Sequence, residues 1–197
     1  FQLLAQSDSE EEQRHYIEVI QSRISSLKDI LEELFTYTKL QNEQYELKME
    51  TVDFGKCVYD TVFSFYDEFQ TKGLEPEIDF CEENILIEGN TEAIRRILQN
   101  IIKNALVHGS QKIRMKLFSE NNDIIFLCEN DLENPGDIDI KKIFSKFYKA
   151  DTARTSNTTG LGLSIAKSLV ERMDGTIIAE IENDMFLIRV MFFRKKL

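Results

Sequence analysis

Asn100, Asn104 and His108 recur at four-residue intervals in a helix-forming stretch, so the three side chains share one face. An Asn amide offers a neutral carbonyl oxygen and two N–H donors. Such groups suit a Mg²⁺ ion that also holds phosphate oxygens, because Mg²⁺ takes few protein ligands and completes its shell with water and phosphate. A second stretch, Thr159-Gly-Leu-Gly-Leu-Ser, opens another helix. Gly160 and Gly162 let the backbone approach a ligand, and the free N–H groups at a helix start attract an anion. The third group is basic: Lys141, Lys142, Lys146, Lys149 and Arg154 gather in an otherwise acidic chain. Lys149 and Arg154, on the way to the glycines, can reach a triphosphate. Each signal alone has a plainer explanation, respectively a solvated Asn pair, a tight turn and a solvated helix face.

The elements that carry these residues follow from periodicity. Asp53 caps a helix bearing Cys57, Val58, Thr61, Val62, Phe65 and Phe69, which stops near Gly73. Glu77-Ile-Asp-Phe and Ile85-Leu-Ile read as short strands joined by a polar turn. Residues 91–107 form a helix with Ile94, Ile97, Leu98, Ile101, Ile102 and Ala105 on its apolar face. Residues 112–118 and 123–129 alternate and make a hairpin about Asn121-Asn122-Asp123. From Asn130 to Gly160 regularity lapses, apart from a helical patch near residues 143–148; a long irregular stretch in a small domain is functional or mobile. A helix over 163–173 and a final hairpin, 176–181 with 186–193, complete an α+β, two-layer α/β sandwich.

Ahead of it stands a helix capped at Ser9, with Glu12 as its capping-box partner. Ile17, Ile20, Ile24, Leu27, Leu31, Leu34 and Thr38 then recur in alternating steps of three and four, an a/d heptad seam. This stripe cannot be buried by one helix alone: it packs against Phe1-Gln-Leu-Leu-Ala, against a second chain, or both. Between a helix lying on its own domain and a homodimeric helical bundle, the regular seam favours the bundle. The expected division is residues 1–47 for the bundle and 48–197 for the sandwich.

Composition narrows the function. The 197 residues carry a net charge of −11, with 42% hydrophobic and 30% charged residues. So acidic a chain does not suit nucleic acid, which is bound through clustered Lys and Arg, or an anionic membrane surface. Cys57, Cys81 and Cys128 form no C-x-x-C pair and read as buried hydrophobes of a reducing, cytoplasmic compartment. No apolar run approaches the ~18 residues of a membrane span. The sequence opens Phe1-Gln-Leu-Leu and reads as a piece of something longer, whose membrane segments are expected upstream.

The motifs together resemble those of sensor histidine kinases from two-component systems. Gln99-Asn-Ile-Ile-Lys-Asn-Ala-Leu-Val-His resembles their N box, and Ile143-Phe-Ser-Lys-Phe-Tyr-Lys-Ala-Asp their F box. Thr159-Gly-Leu-Gly-Leu-Ser-Ile-Ala-Lys, running on to Met173-Asp-Gly-Thr-Ile, resembles their G2 box and the helix after it. The resemblance covers roughly residues 50–195 and implies a Bergerat-type ATP-binding fold, with the heptad helix as the second helix of the dimerisation and phosphoacceptor hairpin. It implies ATP and Mg²⁺ as cofactors. Asn104 would ligate Mg²⁺ and Asn100 support the phosphates. Lys149 and Arg154 would contact the triphosphate from a lid, and His108 would lie near the nucleotide. Thr159, Gly160, Leu161, Gly162 and Leu163 would form the phosphate loop. The implied partner is a response regulator receiver domain, and the whole protein would be anchored in the bacterial inner membrane.

The sequence also departs from the pattern. Where the family offers an Asp that accepts the adenine amino proton, followed by paired glycines, this chain has Asn130-Asp-Leu-Glu-Asn. Asn130 is therefore expected to read adenine through its carbonyl oxygen, unless the register puts Asp131 there instead. Val107 stands where many relatives carry Lys, and the last hairpin has Asn183-Asp-Met-Phe in place of a Gly-Thr turn. No His followed by an acidic residue and a Pro occurs, so the phosphoacceptor is missing and the chain is expected not to autophosphorylate. Two rivals stay open. One is a Bergerat-fold ATPase, which needs a carboxylate one turn before the Mg²⁺-binding Asn to activate water, where this chain has Asn100. The other is a dimerising signalling module whose nucleotide site has decayed.

Overall fold

A computed structural model describes residues 10–42, 44–81, 85–121, 123–149 and 159–193. The chain begins with α1 (Glu10–Gln41), then β1 (Glu50–Asp53), α2 (Phe54–Ser64) and α3 (Tyr66–Lys72). Next come β2 (Glu77–Phe80), β3 (Leu86–Gly89), α4 (Thr91–His108), β4 (Ile113–Glu120) and β5 (Asp123–Asp131). After two short 3₁₀ turns, α5 (Gly162–Glu171), β6 (Thr176–Glu182) and β7 (Met185–Phe193) end the fold.

Five strands form one mixed sheet in the order β2-β4-β5-β7-β6, with β2 parallel to β4 and the other pairs antiparallel. The helices α2, α4 and α5 cover one face of it, and their apolar stripes meet the sheet in a single core that includes Phe54, Ile94, Ile101, Met115, Phe126 and Val190. This is the two-layer sandwich that the periodicities predict. Helix α4 is pinned at its start by Asn90, whose side chain accepts from the Ala93 N–H at 2.9 Å and thereby satisfies one of the orphan donors of the first turn. Asp53 caps α2 in the same way, accepting from the Lys56 N–H at 3.0 Å.

Three local expectations need correction. The strands at 77–80 and 86–89 are not a hairpin: β2 adds to the edge of the large sheet, whereas β3 pairs with β1 in a separate two-stranded sheet. The predicted single helix from Asp53 to Gly73 breaks at Phe65 into α2 and α3, with Gly73 closing α3 in the left-handed conformation at φ 65°. The helical patch expected near 143–148 is a 3₁₀ turn over Ile140–Lys142 followed by further turns. The last hairpin matches expectation by another route, since Asn183 and Asp184 take the positive φ values, 50° and 61°, that a tight two-residue turn requires.

Helix α1 lies along the sandwich with one face only. Leu40 is buried, and the Arg172 guanidinium donates to the carbonyls of Leu40, Asn42 and Tyr45 at 3.0, 3.4 and 2.5 Å, latching the end of α1 to the end of α5. The heptad seam points elsewhere, with Ile24, Leu27 and Leu31 exposed at 62, 58 and 57%. Ser9, the expected cap, lies outside the described residues. Among the described residues no helix is long and apolar enough to cross a membrane.

Candidate nucleotide-binding site

A cavity of about 520 Å³ opens between α4, the start of α5, the segment after β5 and one side of α1. Asn100, Asn104 and His108 all line it, as the four-residue spacing on α4 requires. The apolar face of the same helix faces the sheet, so burial of Ile97 and Ile101 is what aims the asparagines at the cavity. Asn100 is only 6% exposed, and its amide nitrogen is buried without a hydrogen-bond partner among the described residues. An unpaired buried amide costs about 1–3 kcal/mol, so such a group is informative. His108 is held below the ordinary imidazole range by burial first and by the Lys72 charge second, so it is neutral at pH 7.

Across the cavity stands the start of α5, which has no side-chain cap and so leaves first-turn N–H groups for a ligand. Thr159, Gly160, Gly162 and Leu163 line the cavity. Gly162 packs on Asn100: a Cβ there would stand 3.6 Å from the Asn100 Oδ1. Gly160 has φ 73°, and a Cβ on it would meet the Tyr148 carbonyl oxygen at 2.8 Å, so only glycine fits. Its carbonyl accepts from the Phe147 N–H at 3.0 Å, which ties the two motifs together. Leu161 is in the core at 2% exposure; its N–H donates to the Thr159 hydroxyl oxygen at 3.0 Å and positions the turn.

Of the basic cluster, Lys149 lines the cavity. Lys142 pairs with Asp139 at 3.0 Å, and Lys146 reaches Gln41 at 3.1 Å and the Tyr37 ring. Arg154 lies outside the described residues. Asn130 does not line the cavity. It is 2% exposed and is packed where a Cβ on Gly109 would come within 3.1 Å of its own Cβ. Its amide donates to the Asp131 carbonyl at 2.9 Å. Asp131 is also engaged, accepting from the N–H groups of Ser110, Gln111 and Lys112 at 3.0–3.1 Å and from the Ser110 hydroxyl at 2.6 Å. Burial pulls its carboxyl upward, but the Ser110 hydroxyl and these backbone donors outweigh that and lower it to about 2.

Sequence reasoning passed over the α1 side of the cavity. Asp29 and Glu33 line it, and so do Lys72 and Lys103. The signal was present in Lys103, immediately before Asn104, but acidic positions on a heptad helix read as solvated.

Residues 89–191 match the family model described as histidine kinase-, DNA gyrase B- and HSP90-like ATPase. The chain belongs to this ATP-binding family. Within it the likeness is to sensor histidine kinases. A sensor histidine kinase of Bacillus subtilis, YcbM, is 26% identical over 172 residues, covering 85% of this chain and 55% of its own length. The chain thus spans about half the length of the curated relatives it matches. Among solved structures, full-length ShkA in complex with AMPPNP aligns with TM-score 0.76 at 19% identity, over 99% of this chain and 42% of that one. The histidine kinase ThkA in complex with the response regulator TrrA aligns with TM-score 0.72 at 18% identity, over 98% of this chain and 55% of that one. At these identities the structural likeness speaks for the fold.

Proposed function

We propose that the chain is the catalytic core of a sensor histidine kinase, with residues 48–197 as its ATP-binding domain and residues 1–47 as part of the dimerisation hairpin. The observation that carries this reading is the Asn100 amide, buried and without a partner among the described residues, beside the glycines that open α5. A phosphate oxygen between these two elements satisfies both the amide and the free N–H groups of the helix start. The neutral oxygen of Asn104 fits Mg²⁺, which would neutralise charge on the phosphates that Asn100 supports. Lys149 and Arg154 supply further positive charge, and neutral His108 adds none.

In the reaction the bond from the γ-phosphorus to the bridging oxygen of ATP breaks, a bond to an imidazole nitrogen forms, and ADP leaves. The phosphoryl group then passes to an Asp of a response regulator receiver domain. The chain's own residues position the triphosphate, and Asn100, whose amide is no base at neutral pH, stands where related hydrolases carry the carboxylate that activates water. The exposed seam of α1, Ile24, Leu27 and Leu31, fits the dimer in which one subunit presents the acceptor to another. Anchoring in the cell membrane belongs to segments upstream of this sequence.

Calorimetry with Mg-ATP tests the binding step, and labelling with γ-radioactive ATP tests the transfer. The chain is expected to bind Mg-ATP without acquiring acid-labile, base-stable label, and to label a supplied hairpin that carries an acceptor His. Label on this chain alone, or failure to bind Mg-ATP, would falsify the reading.

A further inference from the structure

The cavity has a wall that the nucleotide reading leaves unexplained: the acidic side of α1. Two donors at the phosphate end are already taken by its carboxylates. Lys103, next to Asn104 on α4, holds Asp29 at 2.8 Å. Thr159, at the mouth of the glycine turn, donates its hydroxyl to Glu33. One turn of α1 thus places two anions on groups that face the same space as Asn104 and Gly160.

Resting on the nucleotide reading above, we propose that Lys103 is a triphosphate-binding residue. Asp29 and Glu33 of α1 compete with the triphosphate for Lys103 and Thr159. Seating of α1 on the site and binding of the triphosphate are then alternatives. The charges favour an exchange. Asp29 and Lys103 are 50% and 44% exposed, and an ion pair this wet contributes little. A triphosphate brings several negative charges to the same ammonium and displaces one carboxylate. Glu32, paired with Arg96 at 3.5 Å, lies on the same turn and keeps this stretch of α1 along α4. Coupling is reciprocal by linkage: whatever favours the seated α1 weakens ATP, and ATP loosens α1 by the same factor.

Calorimetry with Mg-ATP on the whole chain decides it, with thermal unfolding of each variant as the check on folding. Lys103→Met is expected to weaken ATP about tenfold, and Lys103→Arg, which keeps the charge, to stay within about threefold of the parent. Asp29→Asn should tighten ATP by about threefold in the parent, and Glu33→Gln should act in the same direction. In the Lys103→Met background Asp29→Asn should change nothing, since the two groups act as one pair. Parent-like affinity in Lys103→Met overturns the proposal while leaving the nucleotide reading intact. So does weaker binding in Asp29→Asn, which would make that carboxylate a ligand of the bound metal, or an equal gain in both backgrounds. If the parent itself binds no Mg-ATP, the nucleotide reading and this inference fall together.

Discussion

Asn100 and Asn130 are buried to a similar degree, 6% and 2% exposed, yet the fold treats them in opposite ways. At the corner between α4 and α5, the Asn100 amide faces a cavity and has no partner among the described residues. At the end of β5, the Asn130 amide is spent on the Asp131 carbonyl, and the Asp131 carboxylate is spent on the loop after α4. Polar groups left with unused hydrogen-bonding capacity in a fold that satisfies nearly all others point to a ligand. The Asp131 carboxylate, whose oxygens are engaged by Ser110, Gln111 and Lys112, holds the chain. The difference separates an amide open to a ligand from a clamp that fixes where α4 ends.

The sharpest way to break this comparison is at α4. Asn104→Leu is expected to weaken Mg²⁺-dependent ATP binding by roughly 100-fold, the scale of losing a supported metal ligand. Asn100→Leu should weaken it roughly tenfold. Both variants should unfold at or above the parent's temperature, because neither residue's amide is needed by the empty fold; Asn100→Leu even removes an unpaired buried amide. Calorimetry and thermal unfolding, run side by side, check this. Unchanged affinity with a large drop in stability would place α4 in the same class as the end of β5.

Much of this corner is legible in the sequence because it is local. The four-residue spacing of Asn100, Asn104 and His108 and the apolar face of Ile94 to Ala105 fix each other on one helix, and Gly160 declares its own turn. What sequence reasoning misplaced depends on distant partners. Strand β1 has four residues and only Val52 buried, too little for an alternation. The turn-like residues after Phe80 suggest a hairpin, but β2 finds β4 and β3 finds β1, pairings that nothing within either strand encodes. The motif assigns Asn130 a role by position alone, whereas what surrounds it and Asp131, Gly109 and the loop at 110–112, comes from far earlier in the chain. The ion pair of Asp29 with Lys103 joins residues from separate domains of the expected architecture, and no local pattern announces it.

At the end of β5 the expected effects are on stability. Asn130→Asp would restore the carboxylate of the family pattern, but here it replaces a donor with an acceptor facing the Asp131 carbonyl and buries a charge. The cost is expected to be about 2 kcal/mol, the scale of an unsatisfied buried group. ATP affinity and the preference for adenine over guanine nucleotides should hardly change. Urea denaturation with calorimetry measures both. A tighter, more adenine-selective Asn130→Asp would show that this end of β5 reads the base after all, and would erase the contrast with Asn100.

The smallest effect belongs to Asp131, and it carries a pH signature. Its carboxyl titrates near 2 in the folded chain, below the ordinary 3.8, because the ionised form accepts from Ser110, Gln111 and Lys112. A group depressed in this way stabilises the fold fully above its unfolded value and loses that contribution as pH falls from there through its folded value. The shift corresponds to about 2 kcal/mol at face value; partial exposure of the side chain reduces it to roughly 1–2 kcal/mol. Asp131→Asn should therefore cost about that much at pH 7, and the gap between parent and variant should close between pH 4 and pH 2. Because the clamp sets where α4 ends, the variant should also weaken ATP slightly, by less than about threefold, through His108 and Asn104 at the last turns of that helix. Urea denaturation across this pH range gives the first quantity and calorimetry at pH 7 the second. A pH-independent gap would mean that the hydrogen-bonded carboxylate is not what holds the loop, and an affinity loss as large as that of Asn104→Leu would make the clamp part of the binding site.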